Sequence, residues 1–547
     1  MLKRKKKFLF LGLVAAMVLT VTGCGSNSDG EDTGTETSEN ETSGRDRLVV
    51  AQNADATTLD LHGGNDANSS LVNAQIFETL VTQDENMDIQ PGLAVDWREI
   101  DELTYEFDLK QDVYFHNGEK FTAEDVAFTF RRASESPNVA VIVGQINPES
   151  IEIIDDYTIR IGTKEPFAPL LAHLAHTASG IMNEKAVEEA GEDVGQNPVG
   201  TGPFQFVEWQ TGDYVLLERF DNYHGAMPAY KELMIRPILE PSNRLIELET
   251  GAVDIAITIP GAERRRIEAD PELELVYEEN FNTQYLGFNL NKEPFDDVRV
   301  RQAINYAIDV ESILEFVLED IGEVAQGPIS SNVFGSHQNG PIYEYNLERA
   351  RELMIEAGLE DGFKTELWTV NNAPNSDIAI AVSNQLAEIN IEADIVQIEW
   401  ATYLGAISEN DHEMFIVAWG SVTGDADYGL YPVFHSSVGP SGGNRVYFAN
   451  DRVDELLDSA RATTDPEERL AYYAEAQEII VEEAPWAFLA TGEASAGLRG
   501  DVRGFKLNPA GHHRFAGVYF GTDDEPEADD SSADSEVDED DTESDES

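Results

Sequence analysis

The chain has 547 residues, 36 Lys and Arg against 105 Asp and Glu, a formal net charge of −69, and a composition 41% hydrophobic and 9% aromatic. That apolar content suits a folded protein, and the length predicts two or three domains. The acidic balance excludes nucleic acid as a partner, because such binding rests on cationic patches that release counterions.

Lys3, Arg4, Lys5, Lys6 and Lys7 form a basic segment ahead of an apolar run from Phe8 to Val21. A run of about 14 residues is short for a bilayer core of ~30 Å and suits the apolar region of an export signal. It ends in Val21-Thr22-Gly23-Cys24, which resembles the bacterial lipobox. Residues 1–23 are therefore read as a lipoprotein signal peptide and Cys24 as the acylated anchor. One acyl chain binds a membrane marginally, and the diacylglyceryl group implied by the lipobox gives a lasting tether. Cys24 is the only cysteine, so the exported protein holds together without an intramolecular disulfide.

After Cys24, residues up to 44 are Gly, Ser, Thr, Asn and acids, with no aliphatic side chain, and read as a flexible stalk (24–44). At the other end, residues 521–547 carry 15 Asp and Glu and no Lys or Arg, and read as a disordered acidic tail. With six acids in the stalk, 84 remain between residues 45 and 520, so the acidity belongs mainly to the folded part. Self-repulsion of that size is tolerated where salt screens it, which points to a halophilic source in a saline or alkaline habitat.

Strand and helix signals alternate between the two ends. Leu48-Val49-Val50-Ala51 predicts a buried strand. Tyr105, Phe107 and Leu109 alternate with Glu106 and Asp108 and predict a half-buried one. Thr122-Ala123-Glu124-Asp125 predicts a capping box opening a helix through Val126 and Phe130. One long amphipathic helix is expected from Val298 to Leu318, and another between an N-capping Asn346 and a terminating Gly358. Gly118, Gly200 and Gly202 are expected at turns, and Phe115, Phe121 and Phe204 in the core. The mixture predicts the α/β class.

Four stretches carry a family resemblance. The first is Leu103-Thr104-Tyr105-Glu106-Phe107-Asp108-Leu109, followed by Val113 to Gly118 and Phe121 to Val126. The second is Pro198-Val199-Gly200-Thr201-Gly202-Pro203-Phe204 with Val207-Glu208-Trp209. The third is Phe288-Asn289 with Pro294 to Ile304, and the fourth Arg244 with Leu248 to Asp254. In this order they resemble the extracytoplasmic solute-binding proteins of family 5, which serve peptide and nickel ABC importers. The resemblance implies a periplasmic-binding-protein type II fold, with two α/β lobes joined by a hinge and an extra subdomain in the first. On that pattern residues 45–285 form lobe I with the inserted subdomain at about 78–204, 286–484 form lobe II, and 485–520 return to lobe I. Ligand would be enclosed as the lobes close. The implied protein is a monomer without enzymatic activity or cofactor. It would be anchored to the outer face of the cell membrane and partnered by a permease pair and two ATPase subunits.

The ligand is narrowed by Ala418-Trp419-Gly420-Ser421-Val422-Thr423-Gly424-Asp425-Ala426-Asp427-Tyr428. In peptide-binding members an Asp a few residues after the Trp takes the ligand's ammonium, and that position here is Val422. Valine cannot neutralise a buried charge. The Thr423 to Tyr428 run, with Gly443-Asn444-Arg445 and Glu483-Ala484-Pro485-Trp486, is similar to the glutathione-binding branch. This similarity implies that Ser421 and Thr423 bond a carboxylate, that Asp425 or Asp427 takes the ammonium, and that Arg445 makes a bidentate pair. Trp419, Trp400 and Asn372 complete the expected site, for glutathione or a di- or oligopeptide. Nickel or haem carriage by the same fold is the alternative ligand class.

Catalytic and metal patterns are weak. Gly439-Pro440-Ser441-Gly442-Gly443 matches G-x-S-x-G but lies in a Ser/Gly/Pro loop, so a secreted hydrolase is a remote reading. Asp425 to Gly429 starts like a calcium loop, but its twelfth position is Ser436. His173 with His176, and His512 with His513, make only partial metal sites.

Overall fold

The computed structural model describes residues 45–521 apart from 65, 85, 86 and 341. The expected signal peptide, Cys24, the expected stalk and all but the first residue of the expected acidic tail lie outside the described residues.

Ten strands form the spine of the main sheet: β1 (Arg47–Gln52), β2 (Phe204–Gln210), β3 (Tyr214–Arg219), β4 (Glu232–Pro237), β5 (Ile255–Ile257), β6 (Leu273–Phe288), β7 (Phe363–Val370), β8 (Ile391–Ile398), β9 (Met414–Gly420) and β10 (Trp486–Arg499). Their order is β8-β7-β9-β6-β10-β5-β1-β4-β3-β2, with the short Glu323–Val324 strand pairing to β10. β1 runs parallel to β4 and β5, and β7 parallel to β8 and β9. Each half of the sheet thus has a parallel centre, as α/β connections demand.

The two halves are joined by β6 and β10, which pair antiparallel along most of their length. β6 meets β9 only from Asn282 onward, and β10 meets β5 only from Ala496 onward. Between these stretches the β6–β10 register shifts, from Glu279 opposite Glu493 to Thr283 opposite Thr491. Such a bulge bends the strands and interrupts their pairing at the junction.

Separate apolar cores surround this spine. Leu48, Val50, Phe204, Leu217, Leu233 and Ile255 share one core with Ala496, Leu498, Phe515 and Val518, so the two ends of the described segment meet there. Two more cores cover the β6–β9 half, around Tyr285 and Trp486 in one and Leu286, Ile304 and Ile416 in the other. A fourth lies under the four-stranded antiparallel sheet formed by Ala94–Asp101, Thr104–Leu109, Thr158–Gly162 and Glu152–Asp155.

The predicted elements recur with instructive differences. Leu48, Val50 and Ala51 are buried in β1, and Phe115, Phe121 and Phe204 are fully buried. Phe107 and Leu109 face the core, but Glu106, just before Phe107, is buried too, neutralised by Arg98 and Arg160. The Asp125 carboxylate accepts the Thr122 backbone N–H at 3.0 Å, closing the expected helix start. Asn346 accepts from the Arg349 N–H, and Gly358 takes φ 78° just beyond that helix. The long helix expected from Val298 to Leu318 is two, Val298–Ala307 and Val310–Phe316, because Asp309 caps the second by accepting from Ser312 N–H at 3.1 Å. Gly118 takes the expected turn conformation at φ 83°. Gly200 is needed for close approach instead: a Cβ there would lie 2.0 Å from the Ile76 carbonyl oxygen.

Candidate ligand-binding site

The bulge in β6 opens a cavity of about 310 Å³ at the junction of the two halves. Gln52 and Asn53 reach it from the end of β1, and Ile257 and Thr258 from the end of β5. Asn280, Phe281 and Asn282 come from the bulge itself, and Glu493, Ala494 and Ser495 from β10. Val422, Asn68 and the 509–513 loop complete the wall. Two local features fix this geometry. The Asn280 side chain accepts the Asn282 N–H at 2.9 Å, folding the bulge on itself. Facing it, Gly492 leaves room, since a Cβ would stand 2.6 Å from the Asn280 Oδ1.

The lining is rich in amides and hydroxyls, suited to both the N–H and the C=O of a peptide. Glu493 is its one carboxylate, paired with Arg264 on the helix behind it. No Lys or Arg is among the lining residues. His513 accepts from the Asn508 N–H at 3.0 Å, and burial pushes its pKa down to about 4, so it is neutral. Gln52 is 2% exposed, and its Oε1 has no hydrogen-bond partner among the described residues.

Of the stretch that the sequence singled out, only Val422 lines this cavity. Trp419 stands opposite Thr283 on β6, donates from Nε1 to the Tyr428 carbonyl at 2.9 Å and stacks on the Tyr428 ring. Thr423 is fully buried, and its carbonyl accepts from Gln83 Nε2 at 2.8 Å. Asp425 and Asp427, expected to offer a carboxylate to the ligand, are instead matched inside the protein. Asp425 accepts the Asp427 N–H to cap the Ala426–Phe434 helix and takes Arg469 Nη2 at 2.8 and 2.9 Å. Asp427 accepts from Arg461 Nε and Nη2 at 2.6 and 2.9 Å. Both carboxylates are buried, and burial demands such partners.

Arg445 is different. It is half-buried, lies 5.9 Å over the Trp419 ring, and forms no salt bridge among the described residues. Asn372 and Trp400 follow the ends of the neighbouring strands β7 and β8. Asn372 caps the Ala373–Leu386 helix by accepting from Asn375 N–H, and Trp400 is 53% exposed. The structure thus gathers Trp419, Thr423, Asp425, Asp427 and Arg445 around one helix start, while Asn372 and Trp400 stand just beyond the ends of β7 and β8.

Gln52, Glu493 and Ser495 were not singled out from the sequence, because each sits in an ordinary strand. Asn280 and Asn282 left a faint signal: Asn is a poor strand residue, and two within one strand mark an irregularity. The other patterns resolve as local structure. Pro440–Gly442 is a short 3₁₀ turn with no strand before it. His173 Nδ1 contacts the Ile142 carbonyl, and His176 Nδ1 accepts the Ala178 N–H; burial lowers the pKa of both.

A model of the bacterial extracellular solute-binding proteins, family 5, matches residues 88–441. The chain belongs to that family. It is 31% identical to the glutathione-binding protein GsiB of Salmonella typhi over 472 residues, covering 84% of this chain and 92% of the relative. The periplasmic binding protein DppA of Helicobacter pylori, solved with the peptide STSA, superposes with a TM-score of 0.78 at 30% identity, covering 87% and 98% of the two chains. A dipeptide-binding protein from Pseudoalteromonas sp. SM9913 in complex with Met-Leu gives 0.78 at 25%, covering 87% and 100%. As a family member, this protein is an extracytoplasmic solute-binding protein with the periplasmic-binding-protein type II fold. Among the described residues no helix is long and apolar enough to cross a membrane.

Proposed function

We propose that this protein captures a short peptide, glutathione or a di- or oligopeptide, and delivers it to the permease pair of an ABC importer driven by two ATPase subunits. The observation that carries the reading is the amide-lined cavity at the β6–β10 junction, into which Val422 projects from the turn after β9. Residues from both halves of the sheet line it, so motion about β6 and β10 would open and close it around a ligand. On this reading the 45–285 and 485–520 segments act as one lobe and 286–484 as the other. Arg445, a half-buried guanidinium without an acid partner beside Trp419, does not line the cavity and would take a carboxylate of a ligand that extends beyond it. The relatives named for glutathione and for peptides support a ligand of this class.

Calorimetry with glutathione, dipeptides and tripeptides tests the ligand. Heat with glutathione supports the narrower reading; tight binding of dipeptides with none from glutathione removes it. Metal in the purified protein, found by mass spectrometry, would promote nickel or haem carriage instead.

The protein would act as a monomer, and the lipobox-like Val21-Thr22-Gly23-Cys24 supports its tethering outside the cell through Cys24. Mass spectrometry of the processed N-terminus, which must begin at an acylated Cys24, decides this. The excess of 105 acids over 36 bases supports a saline habitat.

A further inference from the structure

We propose that Glu493, assisted by Gln52, binds the ligand's ammonium and so replaces the acid that is missing at Val422. The proposal rests on the peptide-binding reading above and names the anchor within that site.

Three observations converge on it. The cavity wall contains one carboxylate and no basic side chain, while its histidine, His513, is neutral. Among the lining residues Glu493 is thus the group placed to meet a cation, sharing its carboxylate with Arg264. Arg264 holds that carboxylate from behind, through an ion pair on the helix outside the cavity wall. Gln52 lines the same cavity, is 2% exposed, and its Oε1 lacks a hydrogen-bond partner among the described residues. A buried acceptor left unpaired is costly, and a ligand donor would satisfy it. An ammonium offers three donors, enough for a carboxylate oxygen, an amide oxygen and one more acceptor.

Asp425 and Asp427 do not compete for this role, since neither lines the cavity. Val422 lines the same cavity as Glu493, so moving the charge from the turn after β9 to β10 keeps it in the site. The shift also transfers the anchor to a strand shared by both halves of the sheet.

The test is calorimetry on the purified full chain with Met-Leu, glutathione and the N-acetyl form of each. The wild type is expected to bind at least one free-amine form and to lose about 30-fold or more on acetylation, the scale for leaving a buried charge unpaired. Glu493→Gln should weaken the free-amine form similarly and the acetylated form little. Arg264→Gln keeps the carboxylate and should keep the preference for the free amine. Gln52→Met should weaken the free-amine form by about tenfold, the loss of one hydrogen bond to a charged group. It also serves should Glu493→Gln fail to fold, as judged by its melting curve. Equal binding of free and acetylated forms by the wild type overturns the proposal and leaves peptide binding standing. So does an equal effect of Glu493→Gln or Gln52→Met on both forms. Binding of none of the four probes overturns peptide binding, and this proposal with it.

Discussion

Asp425 and Asp427 are buried acids whose charges are matched by Arg469 and Arg461, with Tyr473 adding a contact at 3.4 Å to Asp425. At the cavity the pattern differs: Gln52 is just as buried but lacks a partner for its oxygen among the described residues, and Val422 puts an uncharged side chain in the wall. Both regions are polar, and each draws on strands of the same sheet. The first is closed to a ligand because its hydrogen-bonding capacity is spent on the protein. The second keeps the Gln52 oxygen in reserve, although Glu493 in the same wall is already paired with Arg264. Buried polarity alone does not mark a binding site; unspent polarity does.

Acid should show the largest effect. Burial holds His62, His116, His412, His512 and His513 at a pKa of about 4, against an ordinary value of 6.5. The unfolded chain binds these protons below 6.5 and the folded chain only near 4. Their stabilisation is thus complete above pH 6.5 and is lost as pH falls from 6.5 to 4. The loss is about 2–3 kcal/mol for each ring that stays buried. Urea midpoints between pH 7 and 4.5, in 2 M NaCl to screen the surface acids, check this; a flat profile would show that these five rings are hydrated.

Arg469→Met should come next. It strands the buried Asp425 carboxylate and should cost about 3–5 kcal/mol in urea unfolding. A cost below about 1 kcal/mol would mean that Asp425 is free to serve a ligand, and the contrast would collapse. Gly492→Ala sharpens the other side. Its Cβ would meet Asn280 at 2.6 Å, so it should destabilise by about 1–3 kcal/mol and weaken peptide binding together, by displacing the bulge. Unchanged affinity would detach the bulge from the site.

Trp400→Ala should be smallest. With the ring 53% exposed, stability should move by no more than about 0.5 kcal/mol. A loss of affinity without a loss of stability would place Trp400 at the ligand. Salt adds a check on the whole surface: the urea midpoint should rise between 0.1 and 2 M NaCl, and equal midpoints would end the halophilic reading.

Local signals carried most of the fold. The alternation in Thr104–Leu109, the Thr122–Asp125 box and the Asn346 cap depend on near neighbours, so they were legible in the sequence. The break at Asp309 was missed because a carboxylate there suits either a helix surface or a cap, and only the chain's turn decided between them. For the site, the sequence located Val422 through its spacing from Trp419, and the structure places Val422 in the cavity wall. It also proposed Asp425 and Asp427, but their partners Arg461 and Arg469 are more than 30 residues away, and nothing local announces such a pair.

The sequence by itself determined the family, the α/β class and the acidic character, because motif order and composition survive without coordinates. The tertiary structure alone decided which polar groups are spent and which are left over. That distinction depends on contacts between distant segments, such as Gln52, Asn280 and Glu493 meeting where β1, β6 and β10 converge. A side chain's chemistry is written in the sequence, while its remaining hydrogen-bonding capacity is set only once the chain has closed around it.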